Sequence, residues 1–168
     1  TSGDQNTALG YSALGAGAAS FYNTAVGTGA LAADTTGRHS VAVGLSALGS
    51  QNNTGSSDMH NVAVGSSAGL SVTTGVQNTF IGGTAGDAST DADKNTAVGY
   101  SALSGACGDN NTAVGRSAGE ACTGIGNLYA GYGAAQSVTS GDYNVVLGFS
   151  AASQQALTGD DNVVIGKV

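Results

Sequence analysis

The sequence predicts an all-β protein, a parallel β-solenoid (β-roll) of about ten coils with 16–18 residues per coil. Three observations carry this reading. The phrase "NTAVGYSAL", at Asn95 to Leu103, is rewritten along the whole chain. Its copies recur at a nearly constant interval, and two of its columns never change character.

The copies start at Asn6, Asn23, Ser40, Asn61, Asn78, Asn95, Asn111, Asn127, Asn144 and Asn162, at intervals of 17, 17, 21, 17, 17, 16, 16, 17 and 18 residues. A spacing this regular reads as a single repeat domain over residues 1–168. The fifth position is glycine in every copy: Gly10, Gly27, Gly44, Gly65, Gly82, Gly99, Gly115, Gly131, Gly148 and Gly166. The fourth is always apolar, as Leu9, Val26, Val43, Val64, Ile81, Val98, Val114, Ala130, Leu147 and Ile165. The eighth is alanine wherever the copy reaches it, from Ala13 to Ala151. The sixth wanders through Tyr11, Thr28, Leu45, Ser66, Gly83, Tyr100, Arg116, Tyr132, Phe149 and Lys167.

Each copy therefore reads as a short strand, a glycine bend, a second short strand and a polar turn. Val, Ile and Thr suit the pleated surface of a strand. A glycine inside such a pattern marks a bend or a close backbone approach. The Ser/Thr-Gly that precedes most copies ("SGDQN", "TGVQN", "SGDYN") is expected to supply the positive φ of a tight turn. Helices are set aside, because glycine costs about 1 kcal/mol relative to alanine in a helix interior.

A unit of this length cannot bury its own face, so neighbouring coils must stack. At ~4.8 Å per strand, the stack makes a rod about 45–50 Å long, in which equal columns become ladders. The Val/Ile column is expected to fill the interior. The alanine and glycine columns are expected where backbones crowd, at a corner or against another chain. Asn6, Asn23, Asn61, Asn78, Asn95, Asn111, Asn127, Asn144 and Asn162 are expected to form an amide ladder, each side chain bonding to the next. The long interval places a bulging loop in "SQNNTGSSDMH".

Composition narrows the function. Charged residues are 9% of the chain, with 29 glycines, no proline and no tryptophan, against about 25% charged in a usual domain. Backbone hydrogen bonds and close packing of small groups must therefore hold it together. The net charge is −7, and four scattered cations (Arg38, Lys94, Arg116, Lys167) make no phosphate-binding stripe, so no nucleic-acid partner is expected. No apolar run approaches the ~20 residues that span a bilayer, so no membrane insertion is expected.

Candidate chemistry is sparse. His39 and His60 lie one coil apart in surface turns. No nucleophile elbow or phosphate loop is present, so no catalytic residue is assigned and no enzyme is expected. "DASTDADKN" carries Asp87, Asp91, Asp93 and Asn95 like half of a calcium loop, but without its glycine and closing glutamate. It is a weak Ca²⁺ candidate beside a plain acidic edge, and no cofactor is expected. Cys107 and Cys122 fall 12 and 11 residues after their asparagines. Stacking would bring them to about the 4.4–6.8 Å Cα spacing of a disulfide, which is expected here together with the oxidising compartment it implies. Tyr11, Tyr100 and Tyr132 share a column but stand apart in the stack, as outer-surface or interchain groups.

These copies resemble the head repeats of trimeric autotransporter adhesins. They resemble still more the "NTAVGYxAL" and "NTFIGYxAG" repeats of phage tail-fibre and related bacterial surface proteins. The likeness covers the whole chain, at a longer period than the adhesin heads. It implies a parallel β-roll, commonly a homotrimer, in a shaft or head reaching from a cell or virion to a target, and hence an extracellular location. The reading that follows is a structural and adhesive fibre module without catalysis (surface adhesin, tail fibre or self-assembling filament). Its partners would be its own copies, as a homotrimer or head-to-tail filament, and surface glycans. The alternatives are an ice-binding solenoid, for which Thr holds the second column in only five of ten copies, and a carbohydrate-binding one, for which aromatic platforms are few.

Overall fold

The computed structural model describes residues 3–17, 19–55, 58–137, 140–154 and 157–167. It is a β-solenoid of about nine turns, built on one sheet of ten parallel strands. The strands are β1 (Thr7–Leu9), β2 (Thr24–Val26), β3 (Val41–Val43), β4 (Val62–Val64), β5 (Thr79–Ile81), β6 (Thr96–Val98), β7 (Thr112–Val114), β8 (Leu128–Ala130), β9 (Val145–Leu147) and β10 (Val163–Ile165). Each pairs with the next in chain order. Register follows the repeat without a slip: Thr7 faces Thr24, Ala25 faces Ala42, and Val43 faces Val64 across the long interval.

Each coil carries one strand of three residues, where the sequence suggests two. Beyond the glycine bend the chain still bonds along the axis, as in Leu14 N–H to Ala30 O at 2.9 Å and Leu31 N–H to Ala47 O at 3.0 Å. It does so in a turning conformation. Residues in the seventh and ninth columns sit at positive φ, for example Ser46 at 54° and Leu48 at 48°. The turn before each asparagine also differs from expectation. Positive φ falls on the residue just before each copy (Gln5, Tyr22, His39, His60, Gln77), and the earlier Ser/Thr-Gly glycine does not need it. That glycine is required by crowding instead, since a Cβ on Gly75 would lie 2.4 Å from Ala92 O.

The strands turn the expected columns inside out. The interior is the third column (Ala25, Ala42, Ala63, Phe80, Ala97, Ala113, Tyr129, Val146), together with the alanine column and most of the ninth. The Val/Ile column expected to fill the core points outward, with Val64 37%, Ile81 40% and Val114 46% exposed. Strand alternation sends neighbours to opposite faces, and the coil is so narrow that the inner face holds mostly alanine.

Volume in the core is conserved by exchange between columns. Where the third column is alanine, the ninth is often Leu, as with Leu31, Leu48 and Leu103. Where the third becomes Phe80 or Tyr129, the ninth column contracts to glycine beside the ring. A Cβ on Gly86 would fall 2.4 Å from Phe80, and one on Gly119 2.4 Å from Tyr129. Native interiors leave few voids, and here Gly69 and Gly86 make room for Phe80 as Gly119 does for Tyr129.

Candidate functional site

The asparagine ladder is real, but its bonds run differently from the expected side-chain chain. From Asn6 to Asn144, each Oδ1 accepts the backbone N–H that opens the next copy: Asn6 from Asn23 at 2.9 Å, Asn23 from Ser40 at 2.9 Å, Asn78 from Asn95 at 2.8 Å, and Asn127 from Asn144 at 2.8 Å. The Nδ2 of several reaches the last turn of the same coil, as in Asn23 to Gly37 O at 2.9 Å, Asn61 to Gly75 O at 2.8 Å and Asn78 to Ala92 O at 2.8 Å. One side chain thus ties coil to coil and closes its own coil. Direct amide-to-amide bonds occur at Asn127 to Asn111 (3.0 Å) and Asn162 to Asn144 (2.9 Å). Among the described residues, the buried Nδ2 groups of Asn95 and Asn144 have no hydrogen-bond partner.

At Ser40 the ladder lacks its amide, and Gln51 supplies one from the far side of the same coil. Gln51 Nε2 donates to Ser40 Oγ at 3.2 Å, and Gln51 Oε1 accepts from Asn61 Nδ2 at 2.9 Å. Asp34 completes this buried polar cluster, accepting from Gly37 N–H at 3.1 Å and from Asn23 Nδ2 at 3.4 Å. Burial raises the Asp34 carboxyl above the ordinary carboxylate range, against the lowering effect of its bonds from Gln51 and Gly37. Sequence reading missed Gln51 and Asp34, although the lone serine in the asparagine column was a signal for them. Gln51 and Met59 are both buried and anchor the two arms of the long-interval loop; its residues 56 and 57 lie outside the described ones.

Cys107 and Cys122 are brought together as free, buried thiols, without the disulfide that their spacing led us to expect. Tyr129 hydroxyl lies 3.8 Å from Cys122 Sγ, and Cys122 Sγ lies 3.6 Å from Gly124 O. The hydrogen bond between the thiols, then burial, hold Cys107 well above the usual thiol range. The same bond pulls Cys122 down against its burial. Burial, followed by the neighbouring Cys122, raises the Tyr129 phenol.

On the surface, the turn column stacks Tyr22 on His39 (4.9 Å, 3°) and His39 on His60 (5.1 Å, 10°), with Asp58 3.7 Å from His39 Nε2. The sixth column is more continuous than its sequence suggests. Arg116 bridges Tyr100 and Tyr132, with its Cζ 5.7 and 5.4 Å from their rings, and Phe149 stacks on Tyr132 at 5.1 Å. Tyr132 and Phe149 lie face to face along the axis, and Arg116 lies over the rings of Tyr100 and Tyr132.

Asp87, Asp91 and Asp93 are not gathered around a common point. Asp93 accepts the Val76 N–H at 2.8 Å and Asp91 accepts from Thr90 at 3.1 Å, while burial raises the Asp87 carboxyl. Among the described residues, no three His, Cys, Asp or Glu stand close enough to hold a metal ion, and no helix is long and apolar enough to cross a membrane. Asp109 and Asp160 continue the backbone bonding of Asp93, accepting from Asp93 N–H and Asp142 N–H at 2.9 Å each, so the acidic edge is partly a structural ladder.

No family model, curated protein or solved structure matches this chain.

Proposed function

We propose that the chain is a structural and adhesive module of an extracellular fibre, a surface adhesin, tail fibre or self-assembling filament, that works by reach and rigidity without catalysis. The observation that carries this reading is the unbroken axial register. All ten strands pair in sequence order, and a buried asparagine ladder runs beside them with bonds of 2.8–2.9 Å. Each bond adds only ~0.5–1.5 kcal/mol net, but all point along one axis, so the sum resists stretching and bending of the rod. The partners in this reading are further copies of the chain and glycans of a target surface.

Electron microscopy of the purified native material tests the proposal. Three-fold rods or long filaments, resistant to proteolysis, support it. Isolated monomeric particles that a protease digests readily would overturn it.

A further inference from the structure

The outward face of the sheet is built from two columns. The second holds Thr7, Thr24, Val41, Val62, Thr79 and their equivalents to Val163, and the fourth runs from Leu9 to Ile165. Neither column contains a charged residue in any of the ten strands, and no residue in either is fully buried. Monomers rarely expose apolar patches of more than a few hundred Å². Ten strands at ~4.8 Å spacing, each of three residues and so about 10 Å long, give roughly 480 Å² in projection, before side-chain relief is counted. That is of the order of, though below, the ~800 Å² per partner of a standard stable interface.

We infer that this face is covered by the same face of a second copy of the chain. The inference rests on the fibre reading and adds the lateral contact to it. Two observations select a second copy as the occupant. The first is electrostatic. All eleven acids lie outside the nine-residue phrases, so none of the acidic charge behind the net −7 falls on the two columns and two copies can meet there without acid facing acid. The second is periodicity. The face is ridged once per strand, at ~4.8 Å, and a partner must keep that spacing to stay in register along the rod. An α-helix, with a pitch of about 5.4 Å, slips a whole row within about eight coils. A second copy matches at every coil by construction, with Val and Ile methyls of one sheet seated between those of the other.

Sedimentation at micromolar concentration tests the contact in three proteins: the unaltered chain, the double variant Ile81→Lys with Val114→Lys, and a control, Tyr143→Lys. Tyr143 is 57% exposed in the turn column, where Lys94 already adopts the same positive φ. The outward lysines leave the coil interior untouched, and circular dichroism with a thermal midpoint confirms folding of each protein. The expected result is an assembled unaltered chain, an equally assembled Tyr143→Lys, and loss of the assembled species in the face variant. A monomeric unaltered chain, or an assembly that survives both lysines, overturns the inference. So does a monomer that produces thermal hysteresis, because the face would then be ordering water. The two readings separate in electron microscopy: end-to-end filaments that persist in the face variant leave the fibre reading standing and overturn the lateral contact, whereas a monomeric, protease-sensitive unaltered chain overturns both.

Discussion

Gln51 completes the coil that Ser40 leaves short. The two side chains meet at 3.2 Å in the buried interior, and together they present the amide that a single asparagine presents in the neighbouring coils. Gln51→Ala should leave Ser40 Oγ buried without its partner, while Asn61 Nδ2 keeps its bond to Gly75 O at 2.8 Å. Stranding the one hydroxyl costs about 1–3 kcal/mol. Adding Ser40→Asn to that variant should recover at least ~1 kcal/mol, whereas Ser40→Asn alone should destabilise by crowding Gln51. Urea denaturation of the four proteins measures this coupling. Additive effects would mean that the two residues act independently.

Asp34 gives the same cluster a pH dependence. Its folded-state affinity for a proton is raised by burial, so the folded chain binds that proton more tightly than the unfolded chain does. The stability it contributes is complete below the ordinary carboxyl value and is lost as pH rises through the raised one. Stability of the unaltered protein relative to Asp34→Asn should therefore fall across that window and level off above it. Taking the difference between the two proteins cancels the other carboxylates. A difference that rises with pH would refute the assignment.

Two glycines of the same column separate strain from crowding. Gly65 and Gly166 have φ of 141° and 134°. A Cβ on Gly65 would stand 2.5 Å from Gly82 O, while one on Gly166 meets nothing within 4 Å. Gly166→Ala should cost the backbone strain alone, ~1–3 kcal/mol. Gly65→Ala adds a collision between two main chains that cannot move apart without breaking the ladder, and should lower the denaturation midpoint clearly more. Equal losses would show that the coils give way at the bend.

The thiol pair should be silent while the rod is folded. Cys122 is fully buried and Cys107 nearly so, and Cys107 is held protonated by its bond to Cys122 and by burial. Because the thiolate is the reactive form, alkylation at mildly alkaline pH should be orders of magnitude slower than in the urea-unfolded chain. Mass spectrometry of the labelled protein reads this directly. Rapid native labelling of Cys107 would contradict the buried placement.

Much of the architecture was legible without coordinates. The Asn-x-x-x-Gly frame fixes where each coil begins, so pairing and register could be read by aligning copies, and Thr24 opposite Val41 follows from counting. Glycine in the fifth column was legible for the same reason: every coil needs it, so every coil shows it. The inside of the coil was not legible from column hydrophobicity. The most apolar column, Val26 to Leu147, faces out, and the alanines of the third column face in. The reciprocal change of Phe80 with Gly86 was present in the sequence, but its meaning depends on knowing that the third and ninth columns share one cavity.

A repeated sequence determines by itself what each coil must share with the next, because identical neighbours have to satisfy identical bonds. It therefore determined the solenoid, its period and its asparagine ladder. What differs between coils was decided only in the tertiary structure. Gln51 reaching Ser40, and Arg116 lying between Tyr100 and Tyr132, are contacts across the section of the coil or along its axis. They depend on the width and winding of the folded chain, which the spacing of residues along the sequence does not set.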